Sequence, residues 1–125
     1  MRLLGELEAV VMERLWSWDR PVLVREVRED LQKNRAIAYT TVMTVLDNLH
    51  RKGFVLREKD GRAYRYRPAQ TRERHTAEVM EQVLADSGDR GAALLHFVEQ
   101  MPAEEIARLR DALEGFTLDP QGHLR

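Results

Sequence analysis

Apolar positions recur along this chain at three- and four-residue steps, and each such run predicts a helix with one buried face. The clearest run lies between Ile37 and Gly53, where Val42, Val45, Leu46 and Leu49 form the apolar stripe. At about 100° per residue, the opposite face collects Thr40, Thr44, Asp47 and Arg51, with Thr41 and Asn48 on its flank. Arg51 and Lys52 in the last turn, with Gly53 after it, close the helix where its dipole favours positive charge. Upstream, Leu4, Leu7, Val10, Val11, Leu15 and Trp18 predict a first helix over Gly5 to Trp18, which Asp19-Arg20-Pro21 breaks. Trp16 and Trp18 read as core or lid aromatics. Val24, Val27 and Leu31 predict a second helix, polar elsewhere. Its entry carries Val22 and Leu23 where a capping oxygen is preferred, a deficit of about 1 kcal/mol. Lys33-Asn34-Arg35 connects it to the third helix.

After Gly53 the period changes from helical to alternating. Phe54 to Lys59 and Arg62 to Arg67 predict two strands joined by Asp60-Gly61, a pair suited to a type I′ turn with positive φ at both positions. The alternation puts Tyr64 and Tyr66 on an inward face and Arg65 and Arg67 on the outward one. Three helices followed by a basic hairpin is the element order of a winged helix. From Thr71 the helical period returns. Ala77, Met80, Val83 and Leu84 form one stripe, ending at Asp86-Ser87-Gly88. Leu94, Leu95, Phe97, Val98 and Met101 form a second, and Ile106, Leu109 and Leu113 form a buried stripe on a last helix opened by Pro102. The predicted class is mainly α with a small β-wing: a winged helix-turn-helix domain over 3–69, a helical dimerisation region over 70–115 and a flexible tail over 116–125.

Composition narrows the function. The formal net charge of −1 hides an asymmetry: residues 1–68 carry 14 Lys and Arg against 10 Asp and Glu, and residues 69–125 carry 6 against 11. The halves are therefore +4 and −5, an anion-facing first part and a second part with another task. Small hydroxyls on an exposed helix face suit a major groove, because Thr can bond base edges or pack its methyl on thymine. A hairpin bearing Arg57, Lys59, Arg62, Arg65 and Arg67 directly after that helix favours DNA over a winged helix that binds only protein, which is the alternative reading. About 45 residues in three short helices bury too little surface to stand alone, so a second copy of the chain is expected to cover them, the alternative being that they fold back on the first domain.

An enzyme is not expected. The chain has no cysteine, and His50, His75, His96 and His123 form no H-x-x-x-H pair. Gly88-x-x-Gly91 follows no predicted strand and makes a poor phosphate cradle. No metal or cofactor is expected. No run of eighteen apolar residues or apolar signal region occurs, so a cytoplasmic protein without membrane insertion is expected.

Several segments together resemble the BlaI/MecI family of penicillinase repressors. They are Leu4-Gly5-Glu6-Leu7-Glu8, Trp16, Val24-Arg25-Glu26-Val27, Ala38-Tyr39-Thr40-Thr41-Val42, Leu49-x-x-Lys52-Gly53, Arg57-Glu58-Lys59-Asp60-Gly61-Arg62-Ala63-Tyr64-x-Tyr66 and Phe97-Val98-Glu99. The resemblance covers residues 3–115. It implies a homodimeric winged-helix repressor on palindromic operators that control β-lactamase or related resistance genes. Carried over by position, the helix from Tyr39 to Arg51 reads the major groove. Thr40, Thr41 and Thr44 are then the base-edge candidates with Tyr39 and Asn48 as neighbours, and Arg51, Lys52, Arg62 and Arg65 are the phosphate candidates. Val79, Val83, Leu94, Leu95, Phe97, Val98, Ile106, Leu109 and Leu113 are the dimerisation candidates. The resemblance further implies a membrane sensor metalloprotease as partner, cutting at His96–Phe97. The best-known members carry Asn before that Phe, and relatives often carry a capping Thr at the position of Leu23. The copper-responsive sister branch senses metal through a cysteine-rich tail, which has no counterpart here.

Overall fold

Thirteen apolar side chains from three helices and a small sheet close around one core. Val11, Met12 and Leu15 come from the first helix, Val24, Val27 and Leu31 from the second, and Val42, Val45, Leu46 and Leu49 from the third. The sheet adds Val22, Val55 and Tyr66. The structure is a computed structural model that describes residues 4–116 and 120–121. Most of the tail expected over 116–125 lies outside the described residues. The elements are α1 (Glu6–Ser17), β1 (Val22–Leu23), α2 (Val24–Leu31), α3 (Tyr39–Arg51), β2 (Val55–Asp60), β3 (Ala63–Pro68), α4 (Arg72–Ala85), α5 (Arg90–Glu99) and α6 (Ala103–Glu114). They divide into two compact units, one up to Met80 and one from Glu81.

In the first unit the four apolar positions of α3 are all buried, as their spacing predicts. Trp16 and Trp18 pack at the edge of the core rather than in it, and the Trp16 indole Nε1 donates to the Gln70 carbonyl at 2.9 Å. The wing differs from expectation in three ways. First, it is a three-stranded antiparallel sheet in the order β1-β3-β2, not a two-stranded hairpin. Val22 and Leu23 pair with Tyr66 and Arg65. Two residues are too short to show an alternating period, so β1 left no signal. Second, Asp60 pairs with Ala63, which moves the turn onto Gly61 and Arg62. Gly61 has φ +65° and no other residue type has positive φ among the described residues. That is the pattern of a type II′ turn, where glycine at the first central position carries the left-handed conformation alone and Asp60 is spared it. Third, Tyr66 is buried but Tyr64 is not, because Tyr64 lies closer to the turn, where the strands run past the core.

The poorly capped entry of α2 is repaired by its own third residue. The Glu26 carboxylate accepts from the Leu23 N–H at 2.9 Å, half of the capping-box arrangement. Arg20 lies 2.6 Å from the same carboxylate, and these contacts, the Arg20 hydrogen bond first, hold Glu26 below its ordinary pKa.

In the second unit, Gly88 has φ +85° and Asp89 caps α5, its carboxylate accepting from the Ala92 N–H at 3.1 Å. Arg90 pairs with Glu81 at 2.5 Å, and α6 runs from a Pro102 cap to Gly115. The stripe of Ile106, Leu109 and Leu113, expected to be buried, is exposed in a single copy of the chain. No residue of α4, α5 or α6 is buried among those described. The first turns of α4 pack through His75 against the Trp16 and Phe54 rings, while the apolar stripes of α5 and α6 stay open.

Candidate nucleic-acid interface

Burial of Val42, Leu46 and Leu49 fixes the rotation of α3 about its axis, and that rotation decides which side chains face outward. Tyr39, Thr40, Thr41 and Thr44 are all exposed on the outward face, together with Met43. Asn48 is half-buried, and its side-chain carbonyl accepts a hydrogen bond from Arg51, one turn on. The structure thus brings the five base-reading candidates onto one helix, four of them with open side chains.

The phosphate candidates separate according to their partners. Lys52 is held by Glu8 of α1, with Nζ at 2.8 Å from the carboxylate. Arg65 lies 2.7 Å from Asp60 and 3.7 Å from Glu26. Arg51 lies 3.6 Å from Asp47. Arg62, at the tip of the wing, has no carboxylate within ion-pair distance among the described residues, and the same holds for Lys59 and for Arg25 of α2. Arg25 and Arg62 line one groove with Tyr39. Sequence reasoning did not single out Arg25 because it is one of several charged positions on the polar side of α2. Its place one residue after the buried Val24, at the sheet end of α2, was the available signal.

Arg57 is the second residue that the site candidates missed. It ties the wing to α3, with its guanidinium 3.3 Å from Asp47 and 4.2 Å from the centre of the Tyr64 ring. Hydrogen bonding to the Tyr66 side chain, with a smaller contribution from Asp47, raises its pKa further above the ordinary arginine value. A bare carboxylate on the outward face of α3 would repel a polyanion. Between Arg51 and Arg57, the charge of Asp47 is offset.

The dimerisation candidates are equally plain in location. Val79 is half-buried, while Val83, Leu94, Leu95, Phe97, Val98, Ile106, Leu109 and Leu113 are exposed. Leu95, Phe97 and Leu113 show half or more of their surface. The His96–Phe97 bond lies inside α5, and His96 Nδ1 is 3.6 Å from the Glu99 carboxylate. No helix among the described residues is long and apolar enough to cross a membrane.

Residues 4–115, almost the whole chain, match the penicillinase repressor family. The chain belongs to that family. The assignment made from the Ala38–Val42 segment and the wing is therefore borne out, as are the mainly helical class and the winged-helix fold. This penicillinase repressor is 50% identical over 113 residues to the transcriptional regulator BlaI of Mycobacterium tuberculosis, in each of two strains, covering 88% of this chain and 82% of the relative. The solution structure of the DNA-binding domain of the repressor BlaI is similar at a TM-score of 0.50 and 28% identity, covering 55% of this chain and 83% of that one. These relatives are transcriptional regulators, and the family is not one of enzymes.

Proposed function

We propose that this penicillinase repressor is a homodimer that binds a palindromic operator, each protomer laying α3 in the major groove and the wing along the flanking backbone. The observation that carries the reading is the outward face of α3: three threonines on a helix whose rotation the core fixes, flanked by cations that carry no carboxylate partner among the described residues. Thr40, Thr41 and Thr44 read base edges, with Tyr39 and Asn48 beside them. Arg62 leads the phosphate contacts, joined by Arg25 and Lys59. Arg51, Lys52 and Arg65 reach phosphate only by exchanging it for the carboxylates they already hold. The exposed stripes of α4, α5 and α6 pack on those of a second copy, so that two recognition helices meet two half-sites. Release follows the route that the family resemblance implies, in the cytoplasm, through a membrane sensor metalloprotease. A cut at His96–Phe97 divides α5, separates Leu94 and Leu95 from Phe97 and Val98, and so dismantles the contact between copies.

The test is selection of duplexes from a random pool by the purified protein, followed by mobility shifts with two variants. Thr41→Ala is expected to lose about tenfold on the selected operator, within the roughly 1–3 kcal/mol that a base contact carries, and almost nothing on random duplex. Equal losses on both would remove Thr41 from the base-reading set. Arg62→Ala is expected to weaken binding to every sequence and to flatten the slope of log affinity against log salt. The change for a dimer is about two units, at roughly 0.9 per phosphate. An unchanged slope would take Arg62 off the phosphate list.

A further inference from the structure

On the outward face of α3, between the threonines, stands one side chain that the polar pattern does not explain. Met43 falls about 60° from Thr40 on a helix of about 100° per residue, well inside the exposed sector. It is 43% exposed, as is Tyr39 one turn before it, and Tyr64 of β3 is 38% exposed. Met43 lines two open grooves. One also holds Arg25, Tyr39 and Arg62, and the other Thr44, Asn48 and Arg57. The patch is therefore apolar at its centre and cationic on both flanks. Nothing else among the described residues covers it, yet a thioether left in water gives up the free energy its burial would bring.

The arginines on either side restrict the occupant to a polyanion. Arginines on both sides of one narrow apolar strip match the two phosphate backbones that border a major groove, which favours a duplex over a protein partner. The outer edge of a base pair in the major groove offers one apolar group, the C5-methyl of thymine. We infer that Met43, with Tyr39 and Tyr64 beside it, is a specificity-determining residue that packs on a thymine methyl in each operator half-site. The inference rests on the operator-binding function proposed above. A flexible, polarisable methionine suits it, because the side chain can follow the methyl without a fixed hydrogen-bond geometry.

Deoxyuridine differs from thymidine by that methyl and keeps the same hydrogen-bonding edge. The experiment compares the full-length protein on its selected operator and on the same duplex with every thymine replaced by uracil, beside a random duplex treated alike. One buried methyl corresponds to about fourfold in affinity, and two half-sites to about fifteenfold. The wild-type protein is expected to show at least the fourfold ratio on the operator and none on the random duplex. Met43→Ala is expected to bring the ratio close to one. Met43→Leu, which keeps volume and apolar character, is expected to retain most of it. Equal wild-type affinity for the two operators would overturn the inference. A ratio that survives Met43→Ala would overturn it as well, by assigning the methyl contact to another residue. Failure to enrich any duplex would overturn the operator-binding function itself and this inference with it, and so is distinguishable from the other two results.

Discussion

Raising the salt from about 50 to 200 mM is expected to weaken binding of the dimer to its operator about a thousandfold. The size follows from how the cations of the first unit are partnered. Of the first unit's cations without a carboxylate partner among the described residues, the three proposed at the DNA face, Arg25, Lys59 and Arg62, give three phosphate contacts per protomer and six per dimer. Six contacts give a slope of log affinity against log salt near −5, at roughly −0.9 each. Lys52, Arg65, Arg51 and Arg57 are already held by Glu8, Asp60, Glu26 and Asp47. Exposed ion pairs are weak, typically below about 1 kcal/mol, so Arg51 and Arg65 are not barred from phosphate by strength alone, whereas Lys52 is held more firmly by the largely buried Glu8. What they gain from a phosphate is offset by the carboxylate they abandon. Fluorescence anisotropy titrations at four salt concentrations decide the matter. A slope near −2 would mean that the unpartnered cations miss the backbone. A slope approaching −9 would mean that several of the paired arginines let go of their carboxylates on the operator.

The third helix was legible almost to the residue, because Val42, Val45, Leu46 and Leu49 fill a core face and leave an outward face that the same period defines. The wing was legible as an alternating, arginine-rich run after Gly53. Its third strand was not, since Val22 and Leu23 are only two residues and owe their conformation to pairing with Tyr66 and Arg65. The one-residue shift of the turn escaped because Asp-Gly satisfies one turn type and Gly-Arg another, and strand register chose between them. Charge partnering was the larger gap. Arg62 and Arg65 are equivalent in sequence, two basic residues on one strand-turn unit, but only the fold brings Asp60 and Glu26 to Arg65. Arg25 and Met43 were passed over for a related reason. Neither is marked out by its local pattern, and each becomes meaningful only when α2, α3 and β3 are placed around one groove. The apolar stripes of the last three helices were legible as stripes, but a single copy of the chain leaves them exposed, so their burial could not be read from it.

Leu109→Arg is expected to turn the protein into single copies and to cost a hundredfold or more in affinity for a full operator, with no change on an isolated half-site. Leu109 is 42% exposed at the middle of α6, between Ile106 and Leu113 on the same stripe. Arginine is nearly as good a helix former as leucine, so α6 itself is retained. Two effects then act together. The guanidinium must be buried without a partner if the copies are to pack, which is far costlier than the lost leucine contact. The dimer also loses the linkage that makes the second half-site encounter intramolecular, which is the source of the hundredfold. Residues 69–125 carry 6 basic against 11 acidic side chains, so like-charged regions meet when the copies associate. Salt screens that repulsion, and association of the wild-type chains should tighten over the same range in which DNA binding weakens. Sedimentation across that range, with and without DNA, separates the two trends. A variant that still sediments as a dimer would move the contact away from α6. A variant that loses equally on full and half-site duplexes would show that Leu109 acts through the DNA-binding unit and not through a second copy.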